Sequence, residues 1–183
     1  MQKEIELRIV DINRKEAVKR LREIHAKHVA FRRFKRVEVR LIANPKLKRW
    51  IRLRTDGKTT RFAIKENRGM KENVYEHEID VSDFKEMGKI MLKVFPNNLK
   101  AYVKSDRDEY TLDGTEITIN KWPGIPPFME IEGRSKNHVK SVWKKLRLKG
   151  SPIGNIFDVY RLYSKDFIKV NVKENSYINK MLK

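Results

Sequence analysis

Cysteine is absent from this 183-residue chain. That excludes a disulfide framework, a thiolate zinc site and a cysteine nucleophile, and it fits a reducing compartment. Metal chemistry would have to use carboxylates or histidines, and the four histidines, His25, His28, His77 and His138, show no ligand spacing. Long apolar runs are missing too. None approaches the roughly 20 residues of a membrane helix, and Met1-Gln2-Lys3-Glu4-Ile5-Glu6 lacks the apolar stretch of a secretory signal, so the expectation is a cytoplasmic protein with no membrane partner. Acid is scarce relative to base: 24 Asp and Glu against 43 Lys and Arg leave a net charge of +19, which calls for an anionic partner. What is present is enough apolar material to fold. Hydrophobic residues make up 39% of the chain, too many for a disordered polycation.

Period-two alternation dominates. It marks strands at Glu4-Ile5-Glu6-Leu7-Arg8-Ile9, within Phe31 to Asn44, at Trp50 to Arg54, Thr60 to Lys65, Tyr75 to Val81, Tyr102 to Leu112, Thr115 to Asn120 and Phe128 to Glu132. Asp56-Gly57 and Asp113-Gly114 sit between alternating runs, where they predict hairpin turns. Pro45 marks a break and Gly69 a loop. Asn13 predicts a helix running to about Val29, Ser82 one that ends before Pro96, and Ser135 one closed by Gly150-Ser151-Pro152. A short helix follows from about Asn155 to Tyr163. No linker splits the chain, so a single domain over 1–165 and a basic tail or added strand over 166–183 are expected.

Parity divides these strands into two faces. Ile5, Leu7, Ile9, Ile51, Leu53, Phe62, Ile64, Ile79, Ile117, Ile119, Met129 and Ile131 fall on apolar faces that the helices can cover. Opposite them lie Glu4, Glu6, Arg8, Arg52, Arg54, Arg61, Lys65, Glu76, Glu78, Arg107, Glu109, Glu116, Asn120, Glu130 and Glu132. An antiparallel sheet with one solvated face would show this pattern without any function. Two details argue for more. Glu-x-Glu occurs three times, and carboxylates two apart on a strand add their fields in a way that favours a bound cation. The paired Arg52 and Arg54 offer guanidinium forks suited to phosphate oxygens. A sheet curled so that its charged faces meet would form a polar lumen suited to a divalent cation complexed with a polyphosphate, and hard oxygen ligands point to Mg²⁺ or Mn²⁺.

Glu4-Ile5-Glu6-Leu7-Arg8 resembles the E-x-E-x-K signature of the CYTH superfamily, the triphosphate tunnel metalloenzymes. Trp50 to Gly57, Phe62 to Glu66, Glu76 to Ile79, Arg107 to Tyr110, Trp122 to Pro127 and Phe128 to Gly133 are similar to its successive strands, over about residues 2–165. The resemblance implies an α+β fold: an eight-stranded antiparallel closed β-barrel with a charged lumen, flanked by helices. It implies a hydrolase that cleaves inorganic triphosphate, thiamine triphosphate or a nucleoside or RNA 5′-triphosphate. Glu4, Glu6, Glu130, Glu132 and Asn120 would bind Mg²⁺ or Mn²⁺, Arg8, Arg52, Arg54, Lys65 and Arg107 would grip phosphates, and Glu4, Glu6 and Arg8 would be the catalytic set. The protein would be a monomer or homodimer whose partner is a small triphosphate or the 5′ end of an RNA.

Three positions depart from the pattern. With Arg107 pointing inward, parity turns Lys104 outward and gives Ser105 the inward place where a second base is expected. Arg8 stands where the family carries lysine. Asn120 stands where relatives commonly carry Asp, so one negative charge is lost and metal binding should weaken. An adenylate cyclase of the class IV type, or a catalytically weakened polyphosphate or nucleic-acid binding protein on the same fold, are the competing expectations. Trp122 and Trp143 are expected to be packing residues, and the basic run Phe31-Arg32-Arg33-Phe34-Lys35-Arg36 a solvated strand or loop with some potential to contact RNA.

Overall fold

Strands form where alternation lets one face be buried, and the computed structural model has ten among the described residues: β1 (Gln2–Glu4), β2 (Glu6–Val10), β3 (Lys27–Ala43), β4 (Lys48–Thr55), β5 (Thr60–Asn67), β6 (Val74–Asp80), β7 (Lys100–Leu112), β8 (Thr115–Lys121), β9 (Phe128–Glu132) and β10 (Ser151–Ile153). The helices that lie wholly among the described residues are α1 (Arg14–Glu23), α2 (Phe84–Val94), α3 (Lys136–Leu146) and α4 (Ile156–Tyr163). The structure describes residues 2–43, 46–68, 74–98, 100–154 and 156–163, with Ile178, Lys180 and Leu182. The expected break at Pro45, the loop at Gly69 and most of the 166–183 tail lie outside the described residues.

Local chemistry accounts for the boundaries. The Asn13 side chain accepts the Glu16 N–H at 3.1 Å and starts α1. That helix stops at Glu23, short of the expected Val29, because His25 turns left-handed (φ 57°) and Ala26 N–H closes back on the Leu21 carbonyl. The β-branched and aromatic residues that follow then enter β3. Asp83, one residue after the expected Ser82, caps α2 by accepting the Glu86 N–H at 2.8 Å. Ser135 caps α3 as expected. Asp113 and Gly114 both have positive φ (51° and 72°) and link the paired Leu112 and Thr115, the geometry a tight two-residue hairpin requires.

The chain divides into two compact units, each drawn from separated segments. The first comprises residues 1–3, 33–104 and 166–183, with strand order β1-β6-β5-β4-β3. Its core joins Val37, Val39, Ile51 and Leu53 to Met91 and Leu92 of α2, and the fully buried Ile178 and Leu182 belong to it. The second comprises residues 4–32 and 105–165, with order β7-β8-β9-β2-β10. Ile9, Ile117, Ile119, Met129 and Ile131 pack there against Leu21 of α1 and Val139, Val142 and Leu146 of α3. β3 and β7 contribute residues to both units.

The apolar faces therefore follow the parity assignment, with one exception: Ile79 is 61% exposed. The expected closed eight-stranded barrel is not formed among the described residues. The N-terminal strand is interrupted at Ile5, giving β1, which neighbours β6, and β2, which pairs with β9. The other edge of β2 is taken by β10, through Ser151 opposite Val10 and Ile153 opposite Arg8. A closing ladder would need that edge. The tail of the expected α3 terminator, Ser151-Pro152, thus forms a strand that periodicity did not reveal.

Candidate functional site

In the second unit, antiparallel register sets the polar side chains of β2, β9, β8 and β7 on one face. Arg8 lies opposite Glu130, Glu6 opposite Glu132, Thr118 opposite Glu130, Glu116 opposite Glu132 and Arg107 opposite Asn120. Arg8 is the centre of this face and only 6% exposed. Its Nη2 donates to Glu6 Oε1 and Glu130 Oε1, both at 2.6 Å, its Nε donates to Glu130 Oε1 at 2.8 Å, and its Nη1 donates to the Gly154 carbonyl at 3.2 Å. Burial works against the charge on Arg8, but Glu6 and Glu130 outweigh it and hold the guanidinium above its ordinary pKa. Arg107 Nη2 donates to Glu130 Oε2 at 3.1 Å and its Nε to Asn120 Oδ1 at 2.8 Å.

Asn120, expected among the metal ligands, is held within this network. It is 1% exposed, its oxygen faces Arg107, and its Nδ2 donates to Thr118 Oγ1 at 2.9 Å and Glu130 Oε2 at 3.0 Å. Glu132 lies at the exposed end of the same face. The side chain of Glu4 lies outside the described residues.

The first unit has its own polar face, on β3 to β6. Register places Arg36 opposite Arg54, Glu38 opposite Arg52, and Lys65 opposite Glu76. Arg52 Nη2 donates to Glu76 Oε1 at 2.7 Å and Glu78 Oε2 at 3.0 Å, Lys65 Nζ lies 3.1 Å from Glu76 Oε2, and Arg54 Nη2 lies 3.8 Å from Glu78 Oε2. Two residues of the basic run that was expected to be solvated belong here. Phe34 and Arg36 are 7% and 3% exposed, and the Arg54 guanidinium stacks 4.9 Å from the Phe34 ring centroid. Their parity with Glu38 on β3 was the available signal.

Nine of the ten site candidates thus fall into two groups, Glu4 being the one whose side chain lies outside the described residues. Glu6, Arg8, Arg107, Asn120, Glu130 and Glu132 share the face in the second unit, and Arg52, Arg54 and Lys65 share the face in the first. Among the described residues no three His, Asp or Glu converge as a metal-holding group. Two do converge: Glu6 and Glu130 each place an oxygen 2.6 Å from one nitrogen of Arg8. Mg²⁺ characteristically uses one or two carboxylates and fills the rest of its shell with water and substrate phosphate, so the chemistry of this pair fits such an ion.

Trp122 stacks edge-on against Phe128, 6.2 Å between centroids, and Trp143 packs against the core of the second unit, both as packing residues. No helix among the described residues is long and apolar enough to cross a membrane.

No family model matches the sequence, and no curated protein matches it. Solved structures do. A conserved hypothetical protein from Pyrococcus furiosus superposes with a TM-score of 0.72 at 22% identity, over 85% of this chain and 99% of that one. A candidate adenylate cyclase from Vibrio parahaemolyticus gives 0.66 at 9% identity over 87% and 98%. A candidate adenylyl cyclase from Hippeastrum that shows a dominant triphosphatase activity gives 0.59 at 14% identity over 88% and 96%. The chain, with polar strand faces backed by helices, therefore shares the fold of these solved structures.

Proposed function

We propose that this protein is a cytoplasmic, metal-dependent phosphohydrolase that cleaves a triphosphate: inorganic triphosphate, thiamine triphosphate, or a nucleoside or RNA 5′-triphosphate. The observation that supports it most is the convergence of Glu6 and Glu130 on a buried Arg8, next to Arg107. Buried ion pairs add little stability over apolar packing of the same volume, and the opposite face of these strands already supplies a core. A network of this kind is better explained by a ligand that carries both signs. Triphosphate complexed with Mg²⁺ or Mn²⁺ is such a ligand.

Glu6 and Glu130 would hold the ion, with Glu4 and Glu132 the remaining candidate carboxylates. When bound, it would neutralise phosphate charge and polarise the terminal phosphoryl group. Arg8 and Arg107, released in part from those carboxylates, would bind phosphate oxygens, and Arg52, Arg54 and Lys65 are the further phosphate-binding candidates. Cationic side chains held by packing before substrate arrives orient the triphosphate for in-line attack by water, and they stabilise the charge on the leaving diphosphate or pyrophosphate. A second reading, a weakened polyphosphate-binding protein, is favoured by Asn120 donating to Glu130.

The test is phosphate release and cyclic AMP formation from inorganic triphosphate, thiamine triphosphate, ATP and 5′-triphosphorylated RNA, with Mg²⁺ and with Mn²⁺. Metal-dependent phosphate release that falls by about a hundredfold in Glu6→Gln supports the proposal. Cyclic AMP as the main product would assign a cyclase. Tight triphosphate binding without release would assign the binding protein.

A further inference from the structure

The polar faces leave most of the +19 charge unexplained. A dense part of it lies on the helical side of the second unit. Between Glu132 and Asp158 the chain has no acidic residue, but it has Arg134, Lys136, Lys140, Lys144, Lys145, Arg147 and Lys149. All seven are exposed. Lys136, Lys140 and Lys144 form an i, i+4 row along α3, each about 6 Å of helix rise from the next. Where α3 ends, a cleft of about 610 Å³ opens between it and α1, lined by Arg20, Glu23, Ser141, Lys144, Lys145 and Arg147.

Helix electrostatics explains only part of this. Cations near a helix C-terminus complement the macrodipole, which covers Lys144, Lys145 and Arg147. The N-terminal turn prefers acid. Glu16 and Glu86 supply it in α1 and α2, whereas the first turn of α3 has none and begins with Lys136, two residues after Arg134. A positive charge kept at the unfavourable end of the helix extends the basic stripe to the helix's full length, about 16 Å.

We propose that the α3 face of the second unit, with the α1–α3 cleft at its end, binds the phosphate backbone of a nucleic acid, independently of the polar sheet faces. The stripe is longer than a single phosphate or small metabolite needs. A membrane surface does not fit, because an interfacial helix needs exposed apolar residues and none of the large exposed hydrophobic side chains lies on α1 or α3. A protein partner fits poorly, because lysine is depleted from protein interfaces and this stripe presents no exposed aromatic anchor. Contacts of this kind carry no base readout, so recognition is by backbone charge.

The experiment uses single-stranded RNA with a 5′-hydroxyl end, which carries no triphosphate, and measures affinity by fluorescence anisotropy over a salt series. The variants are Lys136→Ala/Lys140→Ala/Lys144→Ala and, as a control of equal charge change, Lys85→Ala/Lys89→Ala/Lys93→Ala on α2. Circular dichroism confirms that each is folded. The α3 variant should bind at least about tenfold more weakly, with a log–log salt slope shallower by about 2, and the α2 variant should bind as the parent does. Triphosphate hydrolysis should be the same in all three, so loss of one proposal does not entail loss of the other. The inference is overturned if the α3 variant binds RNA like the parent, if the α2 variant weakens binding equally, or if a poly-glutamate peptide competes as well as RNA.

Discussion

Nε and Nη2 of Arg8 both reach the same oxygen of Glu130, at 2.8 and 2.6 Å, from a strand 122 residues away in sequence. With the Glu6 carboxylate and the Gly154 carbonyl, this gives each of the three nitrogens of the buried guanidinium a partner. Removing Glu130 would strand that charge. Glu130→Ala is expected to lose about 3 kcal/mol or more of stability in urea denaturation, and Arg8→Met/Glu130→Leu to lose much less than the sum of its single variants. Equal losses for the double variant and that sum would mean the pair is not coupled.

Asn120→Asp replaces an N–H donor 3.0 Å from Glu130 Oε2 with a second carboxylate. In the presence of EDTA this variant should melt earlier than the parent, by the equivalent of about 1–3 kcal/mol. Mn²⁺ should then raise its melting temperature more than it raises the parent's, because the metal would relieve the new repulsion. A melting temperature that ignores Mn²⁺ in both proteins would count against metal at this face.

Two glycines should respond differently to alanine. A Cβ at Gly88 would meet Leu182 Cδ1 and Cδ2 at 2.8 Å, and those atoms are the far end of a flexible, though buried, side chain that yields more readily than backbone. A Cβ at Gly150 would lie 2.5 Å from Ile9 Cγ2 and 2.8 Å from the Val10 carbonyl oxygen, which is fixed in the β2–β10 ladder. Gly88→Ala is expected to cost about 1 kcal/mol and Gly150→Ala about 3 kcal/mol in thermal unfolding. The opposite order would show that β10 yields more easily than the α2 core.

Tyr163 donates its hydroxyl to Asp11, and burial together with that carboxylate pushes its phenol up to about 12. A group whose folded pKa is raised stabilises the fold below its unfolded pKa and ceases to do so as pH rises through the folded value. The contribution of Tyr163 should therefore be complete below about pH 10 and disappear between about pH 10 and 12. Tyr163→Phe should remove that segment of the stability profile, and ultraviolet titration should show one fewer late-ionising phenol.

Much of the site was visible in the sequence because strand parity is strict. Once Ile9 and Met129 are assigned to the core, Arg8 and Glu130 must share the opposite face, and register then sets them side by side. Parity could not show the orientation of Asn120, which depends on the Arg107 fork and the Thr118 hydroxyl meeting it across β7 and β8. It could not show that the three-residue β10 would take the free edge of β2, since so short a segment has no period. The run from Phe31 to Arg36 misled for a related reason. Its cations hid the alternation that places Phe34 and Arg36 inward.

The way the two units share the chain sets an order for their assembly. Residues 33–104 form nearly all of the first unit, and its β4–β5–β6 ladders join neighbours in sequence. These can close while the ribosome is still translating the remainder. Residues 4–32 must wait. The apolar Leu7 and Ile9 of β2 find Ile131 and Met129 only after β9 has been synthesised, and Arg8 has no Glu130 until then. Loop closure over such a distance is slow. For most of its synthesis the amino-terminal segment, with the aliphatic residues of β2 and an unpaired strand edge, is the part of the nascent chain with most need of protection by a chaperone.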